Sequence, residues 1–101
     1  MRTGSRIFLS GVLGNTDTNR DDVKAQGREA LTRIARTLDN AGASFSDVVD
    51  STIYLSDIRQ RDKFDELFTQ FFPREPPART LVGARLSTRN AAIEVLITAV
   101  K

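Results

Sequence analysis

The sequence predicts an α+β fold in which two helices pack on one face of a mixed β-sheet. Apolar residues recur at three- and four-residue spacing over residues 21–41 and again over residues 57–72, as in amphipathic helices. Short runs rich in β-branched residues precede, separate and follow these segments. The resulting order is β-β-α-β-α-β-β. Because helices and strands alternate only in the middle, we expect both helices on the same face of the sheet.

The first half of the chain is predicted to hold a hairpin or bent strand pair over residues 6–17, followed by the longer helix. The helix begins near two aspartates, which its dipole favours in the first turn. It ends before Gly42, the residue type preferred just beyond a helix C-terminus. Gly27, in the middle of this helix, predicts a close approach to the sheet.

The next strand, residues 48–56, is predicted to have two different faces. The inward row is Val49, Ile53 and Leu55. The outward row is Asp50, Thr52, Tyr54 and Ser56. Ser56 or Asp57 then caps the second helix, whose phenylalanines we interpret as core residues, and Pro73 ends it.

The last two strands are predicted over residues 80–85 and 92–100. The final strand carries one fully apolar row, which should meet the helices: Ile93, Val95, Ile97 and Ala99. Its other row is mostly apolar with one acid: Glu94, Leu96, Thr98 and Val100. A sheet face of this composition is typical of a subunit interface, so we expect a homo-oligomer.

Composition narrows the possible chemistry. The 101 residues predict one domain, residues 1–101, and contain neither cysteine nor histidine, which excludes disulfides and Cys/His zinc sites. Any general base must be a carboxylate, Tyr54, a lysine or water. The net charge is +2 and basic residues alternate with acids, which argues against nucleic acid. No apolar run is long enough to span a membrane and no signal-peptide pattern is present, so we expect a cytoplasmic protein.

Two charged residues are candidates for function. Arg79 follows Pro76-Pro77-Ala78 and opens a strand, so a stiff loop fixes its position. A guanidinium held in this way suits a bidentate grip on a carboxylate, although a surface arginine after a turn is the alternative. Glu94 is either an interface carboxylate paired with an arginine or a group that orients water in a partly dry cleft.

Several short motifs, in their order and spacing, resemble the RidA/YjgF family of enamine/imine deaminases, and the resemblance runs nearly from end to end. The motifs are Arg6-Ile7-Phe8-Leu9-Ser10-Gly11, Ala41-Gly42-Ala43-Ser44, Asp47-Val48-Val49, Thr52-Ile53-Tyr54-Leu55-Ser56-Asp57, Phe71-Phe72, Pro77-Ala78-Arg79-Thr80 and Ile93-Glu94-Val95. The chain departs from the common family pattern at three positions, Val12, Asp65 and Leu81, where glutamine, asparagine and cysteine are frequent.

The resemblance implies a chorismate-mutase-like fold and a homotrimer with ligand clefts between subunits. It implies that Arg79 and Glu94 are catalytic, gripping the substrate carboxylate and positioning water, and that the remaining contacts involve Ser10, Gly11, Thr80 and Leu81. The implied reaction converts 2-enamino or 2-imino acids, such as 2-aminoacrylate, to 2-keto acids and ammonia without a metal or cofactor. Two alternatives stay open: a non-catalytic module that binds 2-keto acids, and RNA binding or endoribonuclease activity.

Overall fold

A computed structural model describes residues 6–72, 78–86, 88 and 90–100. Two short 3-10 turns, Phe45–Asp47 and Ile58–Gln60, precede the second strand and the second helix. The helices and strands are β1 (Arg6–Leu13), α1 (Val23–Asn40), β2 (Val48–Leu55), α2 (Arg61–Phe71), β3 (Ala78–Gly83) and β4 (Ile93–Val100).

The strands form one mixed sheet in the order β1-β4-β2-β3. Strand β4 is antiparallel to both of its neighbours, whereas β2 and β3 run parallel. The predicted α+β class, with two helices on a mixed sheet, is confirmed. The predicted N-terminal hairpin is wrong, because residues 6–13 form a single strand that pairs with β4. Gly11, with φ of +70°, bends this strand and does not end it.

Helix α1 begins and ends close to where the sequence predicts. The Asp22 side chain caps it by accepting a hydrogen bond from the backbone N–H of Ala25 (3.0 Å), and Gly42 follows its end with φ of +77°. Gly27 permits close packing, but against α2 and not against the sheet. A Cβ at this position would lie only 2.8 Å from Cδ2 of Leu67.

The phenylalanines of α2 are core residues, as predicted. Phe64 and Phe68 are fully buried, and the half-buried Phe71 meets the ring of Phe45 edge-on at 5.7 Å. Phe72, just beyond the helix, stacks on Phe68 with ring centroids 4.5 Å apart. These aromatic contacts join α2 to the turn that precedes β2.

Strand β2 shows the predicted two faces except at its start. Its pairing with β4 is irregular between Val48 and Asp50, so both Val48 and Ser51 are buried while Val49 is 51% exposed. The prediction that Val49 faces inward is therefore wrong, because the irregularity reverses the alternation at this point. Ile53 and Leu55 are buried, as predicted.

The inward row of β4 is buried against the helices, also as predicted. The opposite surface of the sheet, here called the open face, is not covered by α1 or α2. Phe8 on this face is 66% exposed and Val100 is 38% exposed. In the described part of the chain, no helix combines the length and hydrophobicity needed to cross a membrane.

Gln26 joins α1 to the loops that precede α1 and β4. This side chain is fully buried, and its Nε2 donates to the carbonyl oxygens of Asn19 (2.9 Å) and Asn90 (2.8 Å). Its Oε1 accepts from the backbone N–H of Ala92 (2.7 Å). The three bonds fix the entry to β4, the strand that carries Glu94.

We predict that Gln26→Leu lowers the free energy of unfolding by about 2–4 kcal/mol, because it removes three hydrogen bonds, including the buried one donated by the Ala92 N–H. Urea unfolding followed by circular dichroism measures the change. Gln70→Ala is the matched control, since Gln70 is exposed on α2. Equal stability of the Gln26→Leu and Gln70→Ala variants would contradict the prediction.

Candidate functional site

Glu94 lies on the open face, beside the bend in β1. It pairs in register with Tyr54 of β2 on one side and with Leu13 of β1 on the other, and it is half-buried. A Cβ on Gly11 would lie 3.0 Å from Oε2 of Glu94. The backbone of Gly11 therefore lies directly against this carboxylate, with the exposed Ser10 adjacent to it.

The bend that brings Gly11 to Glu94 is an extra residue in β1. Leu9 pairs with Ile97 and Val12 pairs with Val95, so three steps along β1 match two steps along β4. The backbone at Gly11 adopts a left-handed φ of +70°, which side chains with a Cβ strongly disfavour. Glycine at this position thus satisfies both the backbone conformation and the space needed by Glu94.

Arg79 lies on the other side of the sheet, on edge strand β3. It pairs in register with the buried Ser51, so its side chain starts on the helix-covered face. Nη2 of Arg79 is 2.8 Å from Oδ1 of Asp65, and its Cζ is 5.0 Å from the ring centroid of Phe68. The Arg79 side chain remains 30% exposed, so an anion can still reach it.

The other two predicted contacts lie next to Arg79 and face opposite ways. Thr80 is exposed and pairs with Thr52 on the open face. Leu81 pairs with Ile53 and packs against the core, so it can contact a ligand only through its backbone.

One chain brings Gly11 against Glu94, with Ser10 as the neighbour of Gly11 in β1, but it does not bring Arg79 to Glu94. Glu94 shares a row with Tyr54 and Val82, and Arg79 lies three residues before Val82, two strands away from Glu94. Their Cα atoms are therefore separated by about 14 Å, and the two side chains leave opposite faces of the sheet. A single cleft with both groups requires two chains.

Asp65 and Phe68 are the residues near Arg79 that the sequence argument did not assign to a site. Both belong to α2, and their three-residue spacing places them on the same side of that helix. This spacing indicates that Asp65 and Phe68 can contact the same neighbour, but nothing in the sequence shows that this neighbour lies on β3. Phe68 was predicted as core, and it is also the aromatic surface on which Arg79 lies.

A separate cleft of about 510 Å³ lies where α1 begins and β2 ends. None of the predicted site residues lines it. Within it, Asp57 accepts hydrogen bonds from the side chain and backbone of Arg59, and these bonds hold the pKa of the half-buried Asp57 carboxyl below its usual value. The lining residues are Arg20, Asp21, Asp22, Val23, Ser56, Asp57, Gln60, Lys63 and Ala92.

The sheet order, the two helices and the bulged first strand define a small α+β protein whose known structural relatives share this architecture. The Mycobacterium tuberculosis protein Rv2704, described as a member of the YjgF/YER057c/UK114 family, superposes with a TM-score of 0.88 and 32% identity, covering 99% of this chain and 82% of its own. NMB1025 of Neisseria meningitidis, a member of the YjgF family, superposes with a TM-score of 0.83 and 31% identity, and the match covers 95% of this chain and 79% of NMB1025. RidA of the Antarctic bacterium Psychrobacter superposes with a TM-score of 0.88 and 25% identity, and the match covers 100% of this chain and 85% of RidA.

The family model described as Endoribonuclease L-PSP matches residues 1–101. The chain therefore belongs to the YjgF/RidA family, which that model represents. The resemblance identified from the sequence motifs is confirmed.

We predict that Gly11→Ala and Gly42→Ala each lower the free energy of unfolding by about 1–2 kcal/mol, because both glycines have positive φ. Only Gly11→Ala should also move the Glu94 carboxylate. Chemical denaturation measures the first effect, and the NMR shift of the Glu94 carboxyl carbon measures the second. An unchanged Glu94 signal in Gly11→Ala would show that the contact is not tight.

Proposed function

We propose that this protein hydrolyses 2-enamino and 2-imino acids, such as 2-aminoacrylate, to 2-keto acids and ammonia. The observation that carries the proposal is a pair of groups with complementary roles: a partly exposed guanidinium held on an aromatic ring, and a half-buried carboxylate beside a bent glycine backbone. Membership of the YjgF/RidA family supports the same chemistry. RidA is also the name of one structural relative.

We further propose that the site is completed by a second copy of the chain. Arg79 and Glu94 leave opposite faces of one sheet, so a cleft between subunits would take Arg79 from one chain and Glu94 from the next. The open face, with Phe8 and Val100 exposed, is the surface that such an assembly would cover. The homotrimer and the cytoplasmic setting stay predictions.

In the proposed reaction, 2-aminoacrylate first tautomerises to the imine. Arg79 holds the carboxylate through parallel N–H donors. Water attacks the imine carbon, and Glu94 accepts a proton from it and returns this proton to the nitrogen as the C=N bond becomes single. In the resulting carbinolamine, Glu94 transfers the hydroxyl proton to the amino nitrogen, the C–N bond breaks, and ammonia leaves as the carbonyl forms. The Gly11 backbone N–H would face the reacting centre.

We expect Arg79→Ala to raise KM by about tenfold to a hundredfold, because a charged hydrogen bond to the carboxylate is lost. We expect Glu94→Gln to lower kcat by about 10²- to 10⁴-fold, since the amide cannot accept the proton from water. The assay follows pyruvate formed from enzymatically generated 2-aminoacrylate. Arg59→Ala and Glu66→Gln are the controls, because both side chains are largely exposed elsewhere.

Full activity in Arg79→Ala or in Glu94→Gln would overturn the proposed roles. Binding of pyruvate that depends on Arg79, without any turnover by the wild type, would instead identify a module that binds 2-keto acids.

A mixing experiment tests whether the cleft is shared. If Arg79 and Glu94 come from different subunits, refolding Arg79→Ala together with Glu94→Gln should create some clefts with both wild-type residues. Random assembly into a symmetric ring makes about a quarter of the clefts intact, so about a quarter of wild-type activity should return. If both residues served one cleft from the same chain, mixing would restore nothing.

An endoribonuclease is the second candidate, because the matching family model is described by that activity. Incubation of the purified protein with single-stranded RNA, with the Glu94→Gln variant in parallel, distinguishes an endoribonuclease from an imine hydrolase. RNA cleavage that is lost in Glu94→Gln, without imine hydrolysis, would favour this function.

A further inference from the structure

The carboxylate of Asp65 already forms an ion pair with the guanidinium of Arg79, the group proposed to hold the substrate carboxylate. Nη2 of Arg79 and Oδ1 of Asp65 are 2.8 Å apart, and about a third of each side chain is exposed. Oδ1 itself is buried and, among the described residues, has no hydrogen bond of acceptable geometry. The contact is thus a close ion pair in which no Arg79 N–H points well at the Asp65 oxygen.

This geometry separates two properties of Arg79. Within the described part of the chain, Arg79 meets Asp65 through Nη2, so its N–H groups on Nε and Nη1 stay available for a ligand. Its positive charge, however, is largely balanced by the adjacent carboxylate. The buried Phe68 ring beneath the guanidinium keeps the pair in place.

A ligand carboxylate on the free edge of Arg79 would lie about 7 Å from the Asp65 carboxylate. At that distance, with screening between that of protein and bulk water, the repulsion weakens binding of one negative charge by about five- to tenfold. A ligand with a second carboxylate nearby meets a larger penalty.

We propose that Asp65 is a specificity-determining residue, which weakens the grip of Arg79 on anions and selects small monocarboxylates over dicarboxylates. This inference rests on the proposed role of Arg79 as the carboxylate anchor. It assigns to Asp65 a function in charge selection, and not in the chemical step.

The test compares pyruvate with 2-ketoglutarate by calorimetry, using wild type and Asp65→Asn. The substitution keeps the side-chain shape and removes the charge, so pyruvate should bind about five- to tenfold more tightly, with a larger gain for 2-ketoglutarate. Asp62→Asn is the matched control: it changes the net charge equally, on the same helix, at a side chain that is 93% exposed. Asp65→Ser, which removes the charge with a smaller side chain, should also bind both acids more tightly than wild type, with the larger gain for 2-ketoglutarate.

The inference is overturned if Asp65→Asn binds both acids no more tightly than wild type, including the case in which neither protein binds. It is also overturned if Asp62→Asn gives the same gains, because the effect would then be one of net charge. A different result would show that Arg79 does not hold the ligand carboxylate. In that case Arg79→Ala, made in the wild-type and Asp65→Asn proteins, would leave pyruvate binding unchanged.

Discussion

The structure depends on one constraint: two helices cover only one face of a four-stranded sheet. Side chains alternate along each strand, so every residue buried beneath the helices has neighbours on the open face. On β4 these neighbours include Glu94, and on β1 they include Phe8. The same alternation sends Arg79 to the helix side. The division of the candidate site between two faces follows directly from this architecture, as does our proposal that two chains complete it.

Two local features shape the halves of the site. In β1, the extra residue at Gly11 turns the backbone toward Glu94 and returns Val12 to the core, so one glycine sets both the surroundings of the carboxylate and the packing beyond it. Helix α2 likewise sets both the surroundings of Arg79 and part of the core packing. Phe68 belongs to the core and also lies under the guanidinium, while Asp65, one turn earlier, balances its charge. The packing of the fold and the proposed site therefore depend on the same elements on each side of the sheet.

The sequence predicted most of the fold because its helices and strands have strong periodicity. It failed at Gly11 and Val49, where one additional residue changes the phase of a strand. Bulges of this kind depend on the pairing partner, and a single strand read alone does not reveal them. The buried Gln26 was missed for a related reason: its partners are backbone groups of two loops, one of them more than sixty residues away along the chain.

The class of fold, the family and the two charged candidates, Arg79 and Glu94, were all predicted from the amino-acid sequence. These conclusions rest on periodicity and on ordered local motifs, which are properties of the chain alone. Three features emerged from the three-dimensional fold: the two residues lie on opposite faces, Gly11 lies against Glu94, and Asp65 pairs with Arg79. The physical reason is that strand register and helix placement join residues distant in sequence, and the energies that select them arise only when the core is packed.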